Sequence, residues 1–393
     1  MVLTDSVRDS WPFFWQTGMN QVFIVNYESL RKYFVRRITK AEKWTLKDVE
    51  FHNTIKLFKS VIIDESHKVK STATQQTKFC KGIASGKEYI ILLTGTPVVN
   101  KPKDLVAQLG IMDRMIDMGG WKGFMLRYCS GPNQASNLKE LNYKLWQHCF
   151  FRREKSKVLT QLPDKVRQIV SCEITNRKEY MDAERDLIDY LKRYKEADDE
   201  KIQKSLKGEV MVRIGILKDI TARGKLKEVI DFVKDFRENG KKIILFCNLH
   251  EIVDRLMIAF PSAVCVTGRQ NMQEKQASVD DFQKNPKTDV IICSIKAASA
   301  GITLTAASDV AFIELPWTYA DCDQAESRAH RIGQKDSVNC YYLLGRRTID
   351  QKLYRIIEEK KHISNAVLGA EDNIQTNIVD MMANLFDTNE EEE

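Results

Sequence analysis

Eight short apolar runs, each bounded by polar or turn residues, constrain the fold of this chain more than any other feature. They lie at residues 22–25, 61–63 and 89–93, and then at 243–246, 264–266, 290–292, 310–313 and 340–344. Segments with helical periodicity separate them, as in chains whose parallel strands are connected by crossover helices. The pattern predicts an α/β fold with two parallel sheets, one from each group of runs.

The stretch from about residue 100 to residue 225 separates the two groups and has almost no strand signal. It is rich in Lys, Glu, Leu and aromatic residues, with helical spacing at 137–146 and 177–191. A chain of 393 residues is long enough for two domains. We therefore predict a first lobe over 1–135, with helical insertion starting near 100, then helical insertion and junction over 136–225. A second lobe follows over 226–368, and an acidic tail over 369–393.

The charge of the chain is unevenly distributed. Net charge is +7, although residues 371–393 hold eight acids and no Lys or Arg. The rest of the chain therefore carries +15, since the tail acids offset eight of its positive charges. A basic body of this kind favours a polyanionic partner, and an ordinary solvated surface is the alternative.

The remaining compositional features exclude several classes of protein. The nine cysteines include no C-x-x-C pair, which argues against a disulfide framework or a zinc site. No apolar run approaches the roughly 20 residues of a membrane span, and the first residues lack the apolar core of a secretory signal. We expect no membrane association and an intracellular location, either cytoplasmic, as in a bacterium or a virus-infected cell, or nuclear in a eukaryote.

The acidic tail contains apolar residues on one helical face between 378 and 386. A terminal helix packed on its own protein is one interpretation. The other is a peptide that binds a replication or repair protein through Leu385 and Phe386.

Two carboxylates follow the second apolar run directly. Asp64 and Glu65 come after residues 61–63, an arrangement that suits a Mg²⁺ ion and a positioned water at the carboxyl end of a strand. Hydroxyls and a tight turn follow the next long run at Thr94, Gly95 and Thr96.

Two arginines in the second group of runs complement these carboxylates. Arg328 and Arg331 are spaced i, i+3, which predicts both guanidinium groups on one face of a helix. Such a pair suits the charge that develops on a transferring phosphoryl group. Upstream, residues 294–308 combine small residues, Gly301 and several hydroxyls, the composition needed where a backbone approaches phosphate closely.

In combination these motifs resemble the Swi/Snf family of ATP-driven DNA translocases in helicase superfamily two, most of all its annealing-helicase branch. The resemblance implies two RecA-like lobes, ATP and Mg²⁺ as cofactors, and double-stranded or forked DNA as partner. It implies a water-mediated Mg²⁺ contact at Asp64, a general base at Glu65, and nucleotide contacts at Gly301, Gln324, Arg328 and Arg331, of which the two arginines are also catalytic. It implies that the nucleotide site is coupled to the nucleic-acid site through His67, Thr94, Gly95 and Thr96. It also implies nucleic-acid contacts at Arg152, Arg153, Lys155, Ser294, Lys296, Thr303 and Trp317. Simple packing is the alternative for Trp317, and a solvated linker is the alternative for the basic junction at 152–155.

One expected motif is missing from the sequence. A P-loop needs G-x-x-x-x-G-K-[ST], whose amides and lysine hold phosphates, and no such run occurs among the 393 residues. Residues 2–11 resemble a family motif that normally follows this loop. We expect the strand at 61–63 to have an unpaired edge and a bare apolar face. We also expect a separate N-terminal polypeptide to supply the loop.

Two functions of different classes are consistent with this sequence. The first is an ATP-dependent DNA translocase or remodeller, acting in fork remodelling or strand annealing and inactive without the added loop; the intact carboxylates and arginines favour it. The second is a DNA-binding or regulatory remnant without ATPase activity, which the missing lysine favours. An RNA helicase is a third reading that the motifs favour less.

Overall fold

The computed structural model describes residues 1–98, 101–130, 135–153, 155–196, 200–298 and 301–368. Contacts divide the chain into two compact units, built mainly of residues 1–151 and 152–361. The predicted acidic tail, with Leu385 and Phe386, lies outside the described residues. Within the described ranges no helix has both the length and the apolar character needed to cross a bilayer.

The helices and strands are numbered in chain order. Up to residue 151 they are α1 Trp11–Gln16, α2 Leu30–Phe34, β1 Val35–Ile38, β2 Val49–Phe51, β3 Ser60–Ile63, α3 Gln75–Ala84, β4 Tyr89–Leu92, α4 Leu105–Ile111, α5 Gly120–Tyr128 and α6 Leu138–His148. After residue 151 they are α7 Lys155–Val158, β5 Lys165–Cys172, α8 Arg177–Glu196, α9 Glu200–Gly224, α10 Leu226–Glu238, β6 Ile243–Phe246, α11 His250–Ala259, β7 Val264–Val266, α12 Met272–Lys284, β8 Val290–Cys293, α13 Ile295–Ala298, β9 Asp309–Phe312, α14 Tyr319–Glu326, β10 Val338–Gly345 and α15 Ile349–Leu368. Most of the predicted apolar runs therefore form strands.

The second unit is built on a six-stranded sheet with the order β5-β10-β9-β6-β8-β7, and every neighbouring pair in it is parallel. Strand β6 shows why these runs are continuously apolar. Ile244 and Phe246 pack into the core on one face, while Ile243 and Leu245 pack into a second core on the other. A strand buried on both faces has no solvent side to carry polar residues. The predicted α/β fold class with parallel strands is confirmed.

Strand β5 contradicts the prediction that residues 100–225 contain almost no strand. It lies at the edge of the sheet and pairs with β10 over eight residues. Its sequence mixes basic and polar residues with Val and Ile, and Val166 and Ile169 remain 44% and 57% exposed. The strand was missed because its two basic side chains, Lys165 and Arg167, are paired with acids of α14 far along the chain. The predicted helices at 137–146 and 177–191 are confirmed as α6 and α8.

The first unit contains a smaller set of strands. Strands β3 and β4 form a parallel pair, and β1 and β2 form a separate antiparallel pair that the sequence did not predict. The predicted strand at 22–25 is not formed, because only a single parallel bridge joins Ile24 to Val2. In the described part of the chain, β4 is the only strand paired with β3.

An aromatic cluster holds the short elements of the first unit together. The ring of Trp11 stacks on Phe58 with centroids 5.3 Å apart and meets Phe23 and Phe34 edge to face. Trp11 is 2% exposed. Large rings of this kind supply much of the buried apolar area in a unit with few strands.

A buried ion pair connects three elements of the second unit. Lys225, which is 1% exposed, follows α9 and pairs with Asp350 of α15. Its ammonium group also donates to the carbonyl oxygen of Leu343 in β10 at 2.6 Å. Both charged groups are buried away from water, so the charge of each must be compensated by the other.

We predict that Lys225→Met destabilises the protein by about 3–5 kcal/mol, because the carboxylate of Asp350 would stay buried without its cation. Urea unfolding measures the change. The control is Lys234→Met, which removes an exposed ion pair with Asp231 and is expected to cost less than about 1 kcal/mol. Equal losses in the two variants would contradict the prediction.

Candidate functional site

The turn after β3 presents the two predicted carboxylates. Asp64 is exposed, and its carbonyl oxygen accepts a hydrogen bond from the hydroxyl of Tyr27 at 2.6 Å. Glu65 has φ of +50°, in the left-handed region that non-glycine residues seldom adopt, and its amide donates to Asp64 Oδ1 at 2.9 Å. Strained backbone of this kind clusters at functional sites. The turn therefore fixes both carboxylates at the end of the strand.

His67 joins Glu65 to the turn after β4. Its Nδ1 lies 3.2 Å from Glu65 Oε2 and 3.1 Å from Thr94 Oγ1. The Thr94 hydroxyl also accepts a hydrogen bond from the amide of Thr96 at 3.1 Å, and exposed Gly95 lies between them. The structure thus brings the predicted base and the predicted coupling residues into one hydrogen-bonded group.

Gln108 supports this group from α4 and was not predicted. It is 3% exposed. Its Oε1 accepts from the hydroxyl of Ser66 at 2.9 Å, and its Nε2 donates to the carbonyl oxygen of Pro97 at 2.7 Å. One buried amide therefore connects the turn after β3 to the turn after β4. A glutamine inside the helical pattern of residues 105–111 was the only sequence signal for it.

The donors at the end of β3 fit one of the two implied cofactors directly. Mg²⁺ is commonly held by one or two carboxylates together with waters and substrate phosphates, and Asp64 and Glu65 provide that number of carboxylates. In the described ranges no three His, Cys, Asp or Glu side chains form a metal site by themselves. ATP would also need a row of backbone amides for its phosphates, and the sequence lacks the motif that forms one.

The two predicted arginines do not lie on one helical face, so that prediction is wrong. Helix α14 ends at Glu326, and residues 327–334 form successive turns, which we call the arginine turn. Arg328 is 9% exposed, whereas Arg331 is exposed. After the helix, the amide of Arg328 donates to the carbonyl oxygen of Ala325 at 3.0 Å, and the carbonyl oxygen of Arg328 accepts from the amide of Leu304 at 2.9 Å.

Gln334 fastens the end of the arginine turn. Its buried Nε2 donates to the carbonyl oxygen of Ala307 at 2.8 Å, and its Oε1 accepts from the amides of Lys335 and Asp336. The turn is thereby held against residues 301–308. Three other predicted site residues lie in these elements: Gly301, with φ of +78°, half-buried Thr303, and half-buried Gln324 on α14.

Glu326, the last residue of α14 before the arginine turn, is a buried carboxylate that was not predicted. It is 0% exposed and accepts from Lys165 at 2.6 Å, from Arg167 twice at 2.8 Å, and from the hydroxyl of Tyr342 at 2.6 Å. Burial alone would raise the pKa of Glu326, but the donors on Arg167 and Lys165 outweigh it and lower that pKa to about 2. The carboxylate is therefore charged inside the unit.

The other predicted nucleic-acid residues lie at several places. Ser294 is buried just after β8, and exposed Lys296 lies on α13. Trp317 is half-buried against the core beneath the ammonium group of Lys218, 4.2 Å from its ring. The basic junction includes half-buried Arg152 and exposed Arg153, and the ammonium group of Lys155 donates to the carbonyl oxygen of His330. Contact with nucleic acid stays a prediction for all of them.

Parallel α/β architecture, a carboxylate-bearing turn tied to the next strand end, and an arginine turn agree with the motifs expected of helicase superfamily two. The chain matches the model of the SNF2-related domain over residues 13–228 and that of the helicase conserved C-terminal domain over 224–333. It therefore belongs to the SNF2-related (Swi/Snf) family.

Two relatives illustrate this membership. The chain is 32% identical over 340 residues to the Homo sapiens protein named DNA annealing helicase and endonuclease ZRANB3. It is 31% identical over 318 residues to the Xenopus laevis SWI/SNF-related matrix-associated actin-dependent regulator of chromatin subfamily A-like protein 1. The alignments cover 81% and 77% of this chain but 30% and 32% of the relatives. The chain thus spans about a third of the length of these relatives.

A solved structure, the Sulfolobus solfataricus SWI2/SNF2 ATPase core in complex with dsDNA, aligns with a TM-score of 0.42 and 20% identity. The alignment covers 89% of this chain and 77% of that one. Because this likeness is weak, the fold assignment rests on the strand order described above.

We predict that acid destabilises the protein through Glu326. A carboxyl group whose pKa is depressed on folding contributes stability above its unfolded pKa and loses it as the pH falls through the folded value. The window runs from the ordinary pKa of 4.5 down to about 2, and the loss is on the order of 3 kcal/mol. Unfolding measured from pH 6 to pH 2 should show a smaller decline in Glu326→Gln, and the same decline in both proteins would refute this.

We predict that Gln108→Leu destabilises the protein by about 1–3 kcal/mol, because the hydroxyl of Ser66 and the carbonyl of Pro97 lose a buried partner. Thermal unfolding measures the loss. Gln75→Leu, at an exposed position at the start of α3, serves as control and should change stability by less than about 0.5 kcal/mol. A neutral Gln108→Leu would show that the amide is not needed to join the two turns.

Proposed function

We propose that this chain is the larger part of an ATP-dependent translocase or remodeller of double-stranded DNA, active in strand annealing or at forks. We further propose that its phosphate-binding loop comes from a separate polypeptide outside this sequence. The observation that carries the proposal is the turn after β3, where Glu65, His67 and Thr94 form one hydrogen-bonded group. The name of the human relative, a DNA annealing helicase, supports the choice of reaction.

Each carboxylate has a distinct part in the proposed reaction. Asp64 would hold Mg²⁺ through water, and the ion would neutralise charge on the phosphates when bound with ATP. Glu65 would take up the proton of the attacking water as general base. His67 fixes the Oε2 oxygen of Glu65 at 3.2 Å and so orients the carboxylate. Its second contact, to Thr94, gives the coupling residues a direct connection to the base.

The second unit supplies positive charge in this proposal. Arg328 and Arg331 would stabilise the charge that develops on the transferring phosphoryl group. Gly301 and Gln324 would contact the nucleotide. This role for the two arginines is supported by the position of the arginine turn. The turn is held by hydrogen bonds to Leu304 and Ala307 in residues 301–308.

The open edge of β3 supports the need for additional polypeptide. A cavity of about 410 Å³ is lined by residues 60–64 of this strand and its end and by residues 22–25, among others. Three apolar side chains of the strand pair and its end, Ile62, Ile91 and Leu93, are 63%, 46% and 48% exposed. Parallel strands are normally buried on both faces and seldom occur as an isolated pair. Further strands and a helix would complete this sheet and carry the loop.

The charge of the chain supports a nucleic-acid partner. The body outside the acidic tail carries +15, and Arg153, Lys155 and Lys296 are exposed. Binding that rests on such contacts weakens steeply with salt because counterions are released from the phosphates. Arg152, Ser294, Thr303 and Trp317 are proposed as further contacts. A replication or repair protein is proposed as the partner of the acidic tail.

ATP hydrolysis tests the proposal, measured with and without duplex and forked DNA. The chain would be assayed alone and with a fragment encoded beside it that carries G-x-x-x-x-G-K-[ST]. We predict activity only in the mixture, stimulated by DNA. In that mixture Glu65→Gln should lower kcat by roughly 10²- to 10⁴-fold, because the general base is lost.

The control is Glu88→Gln, at an exposed acid just before β4, which should leave kcat unchanged. Full DNA-stimulated activity of the isolated chain would refute the separate loop. Absence of activity in every combination, with salt-sensitive DNA binding retained, would instead identify a DNA-binding remnant.

A further inference from the structure

Charged side chains from two distant parts of the sequence meet inside the second unit. Lys165 and Arg167 of β5 reach Glu326 of α14, and we call these three side chains the ion cluster. Arg167 binds the carboxylate with two nitrogens, Nε to Oε1 and Nη2 to Oε2, each at 2.8 Å. A two-pronged contact of this kind fixes direction as well as distance. The cluster therefore holds Glu326 in one orientation.

The main chain of Glu326 lies directly before the arginine turn. Its carbonyl oxygen accepts from the amides of Ala329 at 3.2 Å and His330 at 3.0 Å. Arg328, two residues after Glu326, lies within the backbone segment that these two bonds close. Any shift of Glu326 would consequently move the backbone that carries Arg328.

A second contact joins the same two segments independently. His330 Nε2 lies 2.8 Å from the carbonyl oxygen of Pro163, and the ammonium group of Lys155 donates to the carbonyl oxygen of His330. Residues 155–167 are thus attached to the arginine turn both before β5 and along it. If residues 155–167 served only as a linker, contacts at both places would not be needed.

Ionised Glu326 contributes to stability, but apolar side chains could supply stability at this position without the cost of burying charge. Replacing a buried ion group by apolar residues of similar size is often neutral or stabilising. Asp323, one turn earlier on α14, adds a second carboxylate 2.9 Å from Lys165 Nζ, and Tyr342 adds a hydroxyl. What this set of directional contacts provides is a fixed geometry.

We propose that the ion cluster positions the arginine turn for phosphoryl transfer and couples its placement to the junction segment, residues 155–167. Lys165, Arg167 and Glu326 are positioning residues, since they act through Arg328 and Arg331. This inference rests on the proposed ATPase function.

Arg167→Met tests the inference, because Glu326 keeps Lys165 and Tyr342 as partners and the unit should still fold. In the enzyme assembled with its loop fragment, we expect kcat to fall roughly 10- to 100-fold through misplacement of the arginines. KM for ATP and affinity for DNA should not change. Arg167→Lys, which keeps the charge and loses the second prong, should give an intermediate kcat.

The matched control is Lys225→Met, which breaks the buried pair with Asp350 in the same unit. Both variants are compared at a temperature at which both are folded, and Lys225→Met should retain the wild-type kcat. Wild-type kcat in Arg167→Met, or an equal loss in Lys225→Met, would overturn the inference.

Amide hydrogen exchange tests whether the ion cluster fixes the arginine turn, and this measurement does not depend on ATP hydrolysis. The amides of Ala329 and His330 should exchange faster in Arg167→Met and at the wild-type rate in Lys225→Met. If the wild-type assembly hydrolyses no ATP, the proposed function fails, and exchange alone decides whether the cluster fixes the turn. Unchanged exchange in Arg167→Met would show that it does not.

Discussion

Parallel strands are normally buried on both faces of their sheet, and the two units meet this condition to different degrees. In the second unit β6 lies between β8 and β9, with a core on each face. In the described part of the first unit, β3 and β4 have only each other, and Ile62 and Ile91 remain exposed. The carboxylates lie at the end of this less complete pair.

Buried charges connect elements of the second unit that are far apart in the sequence. Lys225 and Asp350 join the end of α9 to α15 and, through Leu343, to β10. Glu326 joins β5 to the arginine turn. The two groups join different parts of the unit, since Lys225 and Asp350 connect α9, α15 and β10, whereas the ion cluster connects β5 to the end of α14. That difference allows one to serve as a control for the other.

The sequence predicted some levels of this structure better than others. The runs at 243–246, 264–266 and 290–292 became strands because continuous apolar sequence needs burial on both faces. The run at 22–25 did not, since a strand also needs a neighbour to bond with. In the site, the sequence selected Glu65, His67 and Thr94, which the structure brings together. It did not reveal Gln108, whose role depends on two turns meeting around α4.

Sequence by itself determined the fold class, the family and the residue types at the two motif-bearing turns, because periodicity and motif spacing are local properties of a chain. Tertiary structure alone decided that Arg328 and Arg331 leave the helix, and that β5 is a strand despite its basic residues. The second outcome depends on the pairing of Lys165 and Arg167 with Glu326, which lies 161 residues from Lys165. A charge is stable in the interior only where the fold delivers its partner, and no local pattern specifies that meeting.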